Sequence, residues 1–274
     1  MHMVSAAGVD IPALGFGTWQ LKGSECEQMV ATALGAGFRH IDTAEMYDNE
    51  EAVGRGLKKA KVPRDDVFLT SKVWSSHLRD GQLQHAAEES LKRLGLDYFD
   101  LYLIHWPSNE TSTREAIGAL NEVRTRGLAR AVGVANFPVK LIEEAVEASE
   151  EPLATNQVEY HPYLDQAPVL DACRRHGLSL TAYCPLARGK VVDDAVIGEI
   201  AEAHGRTPAQ VTLRWLIQQE GVVAIPKTAN PDRLQENLGA AEFSLSDAEM
   251  DKISALAKPG GRIVRMAGEP EWDT

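Results

Sequence analysis

The sequence predicts an α/β fold, a closed barrel of eight parallel strands surrounded by helices. One unit recurs along the chain: an amphipathic helix, a glycine where the helix ends, and a short apolar strand. No linker, low-complexity stretch or block of like charge interrupts the series over 274 residues, a length that such barrels use as one domain. Strands that alternate with helices pair in parallel through right-handed crossovers. We therefore expect residues 1–274 to form a single (β/α)8 TIM-barrel domain.

The eight strands are predicted from short apolar runs. They are LGFG from Leu14, FRHID from Phe38, VFLTSK from Val67, FDLYLIH from Phe99, LARAVGV from Leu128, TNQVE from Thr155, LSLTAY from Leu178 and VVAIP from Val222. The first dozen residues are predicted to form a hairpin or cap, and the tail from Lys258 is predicted to be a loop.

The helices are predicted from apolar residues at helical spacing that end at a glycine. The predicted stops are Gly35 or Gly37, then Gly95, Gly127, Gly177 and Gly221. Glycine suits these positions because the residue after a helix often adopts a left-handed conformation.

Composition narrows the possible partners and the compartment. Charged residues make up 25% and hydrophobic residues 44% of the chain, as in ordinary globular proteins. The net charge of −12 disfavours nucleic acid, whose phosphates it repels. Three widely spaced cysteines, no signal peptide and no apolar run near ~18 residues indicate a cytoplasmic protein without a membrane partner. We expect a monomer.

Four polar residues fall at or just after three predicted strand ends. They are Asp42, Tyr47, Lys72 and His105, and barrel active sites lie at the carboxyl ends of the strands. A free tyrosine has a pKa near ~10, so we expect the ammonium of Lys72 to lower the pKa of Tyr47. Asp42 would keep Lys72 charged, and His105 would position a carbonyl. Together these groups would protonate a carbonyl oxygen while a hydride is delivered to the carbonyl carbon. Since no side chain can supply a hydride, a reduced nicotinamide is expected.

Each of these residues also has an ordinary structural explanation. Asp42 could cap a turn, Lys72 could be a solvated lysine, His105 could be a core histidine and Tyr47 could simply pack. Their joint occurrence at strand ends favours a site. A metal site at His40 and Asp42 lacks further ligands at neighbouring strand ends.

Two other functions remain open at this stage. A Schiff-base aldolase would use a strand-end lysine such as Lys72, but it leaves the late basic cluster unexplained. A nicotinamide-binding regulatory subunit would keep the barrel without turnover. The intact set of four residues argues against it.

A second polar cluster follows the last strand, in the segment IPKTANPDRLQEN. Lys227, Thr228 and Arg233 combine two cations with a hydroxyl near the start of a predicted last helix, a frequent phosphate site in barrels. Two cations facing one phosphate favour NADPH over NADH.

Six motifs in this order resemble those of the aldo-keto reductases over nearly the whole chain. They are GFRHIDTAEMYDNEEAVG, LTSKVW, LDYFDLYLIHWP, VGVANF, NQVEYHPY and IPKTANPDRLQEN. The resemblance implies NADPH-dependent reduction of aldehydes and ketones by the catalytic residues Asp42, Tyr47, Lys72 and His105, with Tyr47 as proton donor. The compact length and the ending EPEWDT are most similar to bacterial members that reduce 2,5-diketo-D-gluconate or methylglyoxal.

The resemblance also implies a set of binding residues. The implied cofactor contacts are Thr18, Trp19, Asp42, Asn136, Gln157, Tyr183, Leu186, Lys227, Thr228, Arg233, Glu236 and Asn237, and the implied pocket residues are Trp19, Trp74 and Trp106. One residue departs from the family pattern, because Ala135 stands where serine is usual. We expect one missing hydrogen bond to the nicotinamide carboxamide, worth about 0.5–1.5 kcal/mol. Arg262 and Arg265 in the tail would attract an acidic sugar, or they are solvated surface residues.

Overall fold

The computed structural model describes residues 2–273 and shows eight parallel strands in chain order. A short antiparallel hairpin, β1 (Met3–Ala6) and β2 (Val9–Pro12), precedes them. The strands of the barrel are β3 (Phe16–Gly17), β4 (His40–Asp42), β5 (Phe68–Val73), β6 (Phe99–Ile104), β7 (Ala129–Ala135), β8 (Leu153–Glu159), β9 (Ser179–Tyr183) and β10 (Val222–Ala224). The predicted hairpin and all eight predicted strands are confirmed.

Main-chain hydrogen bonds close the barrel between its first and last strands. The amide of Gly15 donates to the carbonyl of Ala224 at 2.9 Å, and the amide of Ala224 donates to the carbonyl of Ala13 at 2.8 Å. Further along, the amide of Gly17 donates to the carbonyl of Pro226 at 3.0 Å. These bonds leave neither β3 nor β10 as a free edge.

Ten α-helices lie in the described residues. They are α1 (Gly23–Ala36), α2 (Glu50–Ala60), α3 (Gln82–Leu94), α4 (Thr113–Thr125), α5 (Val139–Ala148), α6 (Ala167–Arg175), α7 (Ala195–His204), α8 (Pro208–Gln218), α9 (Asp232–Leu238) and α10 (Asp247–Ser254). None of them is long and apolar enough to span a membrane.

The predicted glycine stops are mostly correct. Gly37 and Gly95 follow α1 and α3 in the left-handed region, with φ of 118° and 67°. Gly35 is different, because it lies inside α1. The prediction that the phosphate cluster opens the last helix is also wrong, since α10 follows α9. Helices α7 and α10 are additions to the repeat, which needs one helix per strand.

The barrel strands are buried on both faces, which is why they read as continuous apolar runs. Every residue of β4, β5, β6 and β8 is buried. The tail after α10 contains neither helix nor strand up to residue 273, as predicted. It crosses the carboxyl end of the barrel, where the amides of Ile263 and Val264 donate to the carboxylate of Glu159 at 2.7 and 2.9 Å.

Candidate active site

The structure brings the four strand-end residues together at the carboxyl end of the barrel. Asp42 ends β4, Lys72 is the penultimate residue of β5, and His105 directly follows β6. Tyr47 ends a short 3-10 helix, Glu45–Tyr47, in the loop after β4. Neighbouring parallel strands place successive strand ends side by side, so residues far apart in the chain meet here.

A buried ion pair forms the floor of this site. The Nζ of Lys72 lies 2.6 Å from Oδ1 of Asp42, and the two side chains are 0% and 2% exposed. The same ammonium donates to the carbonyl of Thr43 at 2.8 Å and contacts the hydroxyl of Tyr47 at 3.5 Å. Burial lowers the pKa of Lys72, while the charge of Asp42 acts to raise it. Gln157 donates to Oδ2 of Asp42 at 2.8 Å.

Tyr47 does not show the lowered pKa that the sequence led us to expect. Burial raises its pKa well above the ordinary value, and the negative charge of Asp42 and the nearby Tyr183 raise it further. The charge of Lys72 is already compensated by Asp42 at 2.6 Å, so it does not lower the pKa of the phenol. The phenol is therefore protonated at neutral pH, and it lies next to an ammonium.

His105 is a neutral imidazole in this environment. Burial and the charge of Lys72 together hold its pKa well below the ordinary value. Its ring packs edge-on against Tyr47 at 5.6 Å and against Trp74 at 5.3 Å. Its buried Nδ1 has no hydrogen-bond partner among residues 2–273. A neutral imidazole offers one donor and one acceptor.

The residues expected near a nicotinamide form hydrogen bonds around these four. Asn136 has a φ of 64°, donates to the carbonyl of His105 at 2.9 Å and accepts from the hydroxyl of Tyr183 at 2.8 Å. Thr18 is buried and donates to the carbonyl of Asp42 at 3.0 Å. Ala135 ends β7 and is fully buried. The effect of its missing hydroxyl stays a prediction.

The residues expected to bind phosphate lie beyond β10. Lys227 and Arg233 are exposed, and neither forms an ion pair or side-chain hydrogen bond within residues 2–273. The buried Thr228 accepts from the amide of Asn230 at 2.9 Å, which orders the turn before α9. Two unpaired cations therefore flank an ordered hydroxyl.

The other three residues expected to contact the cofactor lie on α9 or in the segment after β9. Glu236 accepts from the hydroxyl of Thr207 at 2.6 Å, which links α9 to the start of α8. Asn237 is buried in the last turn of α9, and Leu186 is half-buried just before the 3-10 helix Ala187–Asp193.

The three tryptophans expected at the pocket occupy different environments. Trp19 is 40% exposed, whereas Trp74 is half-buried against His105. Trp106 is buried, and its ring meets that of Trp272 from the tail, edge to face, at 6.1 Å. Sequence reasoning missed Trp272, although the tail was expected to lie near the site.

Sequence reasoning also missed Glu45, which positions the loop that carries Tyr47. Its carboxylate accepts from the amide of Trp74 and lies against Nδ1 of His77, both at 2.8 Å. The motif containing Asp42 and Tyr47 includes Glu45, but its partners come from the loop after β5. Only the pairing of β4 with β5 brings them within reach.

His40, which we considered as a metal ligand, has structural contacts. Its Nε2 lies 3.0 Å from the hydroxyl of Thr70 on β5. Within residues 2–273, no group of three histidine, cysteine or acidic side chains is placed to hold a metal ion.

Comparisons with known proteins agree with this architecture. Residues 13–258 match the family model for the Aldo/keto reductase family. The chain belongs to this family. Its membership confirms that the protein is an oxidoreductase with the predicted fold.

Relatives in the family cover the chain almost end to end. Methylglyoxal reductase DkgB of Escherichia coli O157:H7 is 43% identical over 267 residues, which is 96% of this chain and 99% of that protein. A crystal structure provisionally described as a 2,5-diketo-D-gluconic acid reductase B is 49% identical, with a TM-score of 0.98, and the match covers 100% of this chain and 98% of that one. A mutant of Gox0644 in complex with NADPH is 35% identical, with a TM-score of 0.90 and 96% coverage of both chains.

Proposed function

We propose that this aldo-keto reductase uses NADPH to reduce a small aldehyde or ketone to an alcohol, with Tyr47 as the proton donor. The observation that carries the proposal is the buried contact between Lys72 and both Asp42 and Tyr47, at 2.6 and 3.5 Å. A protonated phenol beside a buried ammonium is suited to protonating a carbonyl oxygen.

The residues present fit the cofactor. Lys227 and Arg233 have no counter-ions within residues 2–273, and Thr228 lies between them in the chain. Guanidinium and ammonium groups bind phosphate through charge-assisted hydrogen bonds. At the other end, the carboxamide of Asn136 accepts from the hydroxyl of Tyr183, and the carboxamide of Gln157 donates to Asp42. When bound, the nicotinamide supplies the hydride. The NADPH complex of a relative with 35% identity supports the choice of cofactor.

Proton transfer from Tyr47 depends on the charge of Lys72. As the phenol gives up its proton, negative charge develops on an oxygen 3.5 Å from the ammonium. A charge fixed in advance in a site with little water stabilises that change at little reorganisation cost. Asp42 and the carbonyl of Thr43 hold the ammonium in position.

His105 is suited to orienting the carbonyl. Its neutral ring packs between the rings of Tyr47 and Trp74, and its Nδ1 forms no hydrogen bond within the described residues. The aromatic side chains of Trp19, Trp74 and Trp106 would restrict water, which strengthens the electrostatic effects in the site.

The aldolase alternative has less support. A Schiff base requires a neutral amine that the substrate can reach. The amine of Lys72 is 0% exposed and already bonded to a carboxylate and a carbonyl. No contact among the described residues 2–273 favours the regulatory subunit. The monomeric state, the cytoplasmic location, the single-domain organisation and the absence of nucleic-acid partners stay predictions.

Replacing Tyr47 with phenylalanine tests the proton donor. The variant keeps the ring that packs on His105 at 5.6 Å but removes the hydroxyl. We expect kcat for carbonyl reduction to fall by about 100-fold or more, whereas the Kd of NADPH stays within about threefold because phosphate contacts dominate it. Steady-state NADPH oxidation and fluorescence titration measure the two quantities.

Tyr98→Phe is the matched control, because Tyr98 directly precedes β6, at the opposite end of the barrel from the site. Its kcat should equal that of the wild type. Near-normal turnover in Tyr47→Phe would show that another group donates the proton.

A further inference from the structure

The buried guanidinium of Arg262 has no hydrogen-bond acceptor among residues 2–273. Arg262 lies in the tail, is only 6% exposed, and its Nε and Nη1 atoms are buried without a hydrogen-bond partner in residues 2–273. Arginine stays charged in proteins and carries five donors. A buried charge whose donors are unpaired is costly, and an anion that accepted hydrogen bonds from these donors would reduce that cost.

The acidic groups nearby are already engaged. Both carboxylate oxygens of Glu159 accept hydrogen bonds, from the amides of Ile263 and Val264 and from His161 at 2.9 Å. No nitrogen of Arg262 lies within 4.0 Å of an oxygen of Glu159. The other neighbouring carboxylate, Glu269, pairs with the exposed Arg265 at 3.0 Å.

Two tryptophans connect Arg262 with the part of the chain that carries His105. Its guanidinium carbon lies 3.6 Å above the ring of Trp272. Trp272 in turn meets Trp106, the residue after His105. Burial lowers the pKa of Arg262, and Glu159 and Tyr183 act to raise it, so both lie within electrostatic reach of the guanidinium. Tyr183 also donates to Asn136 at 2.8 Å.

We propose that Arg262 binds the carboxylate of the substrate, so that the preferred substrates are keto acids or aldehyde acids. This inference rests on the proposed carbonyl reduction and names its substrate class. A guanidinium matches a carboxylate with two parallel hydrogen bonds. The local cation also offsets the repulsion of an anion by a chain with a net charge of −12. Keto sugar acids meet this requirement, whereas methylglyoxal has no charge.

Acids paired with their methyl esters test the proposal. The pairs are glyoxylate, succinic semialdehyde and 4-carboxybenzaldehyde, each measured against its ester as the ratio of kcat/KM values with NADPH. Three carbon lengths are used so that at least one carboxylate spans the distance from the reacting carbon to Arg262. We expect the wild type to prefer the acid in at least one pair. The ratio for that pair should fall by about 10-fold or more in Arg262→Gln, because a charge-assisted contact is lost.

Arg265→Gln is the matched control. It removes the same charge from the same tail at an exposed position, so we expect its ratio to stay within about threefold of the wild type. Arg262→Lys keeps the positive charge but lacks the two parallel donors of a guanidinium. Its acid-to-ester ratio should lie between those of the wild type and Arg262→Gln. Circular dichroism and thermal unfolding establish that each variant is folded, and the lysine variant provides the comparison if Arg262→Gln does not fold.

Two outcomes overturn the proposal: a wild type that shows no preference for any acid over its ester, or acid and ester rates that fall together in Arg262→Gln, which indicates a structural role. A wild type that reduces neither member of any pair contradicts the proposed carbonyl reduction instead. Calorimetric titration with gluconate then decides the carboxylate site, since weaker binding by Arg262→Gln supports it and equal binding by both proteins overturns it.

Discussion

Lys72 and Asp42 form an ion pair that is almost completely closed to solvent, at 0% and 2% exposure. Removing two charges from water costs free energy that their attraction does not always recover, so the pair is weak evidence for stability. Its geometry has a clearer chemical use. It places one ammonium 3.5 Å from the only tyrosine hydroxyl that contacts it within residues 2–273.

His105 gives the protein a measurable pH dependence. Its folded pKa is held well below the unfolded value of about 6.5, so the unfolded chain binds the proton first as pH falls. Its contribution to stability is therefore complete above about pH 6.5 and is lost as pH falls toward the folded pKa. We expect His105→Asn to reduce the slope of the unfolding free energy between pH 6.5 and 5 by up to about 1.4 kcal/mol per pH unit.

Urea denaturation of both proteins at several pH values measures this slope. Since the carboxylates are common to both, their contribution cancels in the difference. Equal slopes in wild type and His105→Asn would mean that His105 protonates as readily in the folded protein as in the unfolded chain.

For single residues, the sequence predicted which side chains lie at strand ends, but it did not predict how their surroundings shift their pKa values. Asp42, Lys72 and His105 could be assigned to strand ends because each closes an apolar run. The direction of the pKa shift of Tyr47 could not, because it depends on burial and on Tyr183, which is 136 positions later in the numbering. Such contacts become visible only once the barrel is closed.

Loops after the strands, rather than the strands themselves, carry most of the proposed binding. The loop after β10 leads into α9 and exposes Lys227 and Arg233. The loop after β4 is held by Glu45 through the amide of Trp74 at 2.8 Å. A rigid scaffold with functional loops is the general design of these barrels.

Arg233 is expected to separate NADPH from NADH. It lies exposed in the first turn of α9 with no acidic partner within residues 2–273. We expect Arg233→Gln to weaken NADPH binding by about 10-fold or more, because a charge-assisted contact to the extra phosphate is lost. The Kd of NADH, which lacks this phosphate, should stay within about threefold.

Fluorescence titration with both cofactors provides the comparison. Lys252→Gln, at an exposed position on α10, is the control for removing one positive charge from the surface. If Arg233→Gln weakened NADPH and NADH equally, its role would lie elsewhere in the cofactor or in the fold of α9.

The repeating strands of the barrel were easier to predict than the two helices that are additional to the repeat. The eight strands follow from apolar runs that are buried on both faces. Helices α7 and α10 break the one-helix-per-strand repeat, and no periodic signal marks where an extra helix belongs. Of the two candidate stops for α1, Gly37 is the one that ends the helix, because it adopts the left-handed conformation, whereas Gly35 lies inside the helix.

Across the whole molecule, the tail connects distant parts of the carboxyl face. It is bonded to Glu159 on β8 through Ile263 and Val264. Asp273 accepts from the amide of Val139 at the start of α5 at 2.9 Å. The tail contains no regular structure up to residue 273, so packing and these bonds position it.

Gly261 is the tightest point of this attachment. A Cβ atom there would lie 1.8 Å from the carbonyl oxygen of Tyr163, a backbone atom. We expect Gly261→Ala to displace the tail and to lower the free energy of unfolding by about 1–3 kcal/mol. Chemical denaturation measures the change.

Gly35→Ala is a control with the opposite expected sign. Gly35 lies inside α1 with nothing within 4 Å of an added Cβ. Alanine should therefore stabilise the protein by up to about 1 kcal/mol. A Gly261→Ala protein as stable as the wild type would show that the tail adjusts freely around Tyr163.

The way the barrel closes also determines when its strand pairing can be completed during translation. Residues 13–17 form their last main-chain bonds with residues 224–226. The first strand of the barrel, β3, therefore cannot complete its pairing until residue 226 of 274 has been made. Until then, the growing sheet has two unpaired edges, which are the features of a β-sheet most prone to join another chain. The end of the barrel at which Thr18 and Asp42 lie is thus completed only after residue 226 has been made.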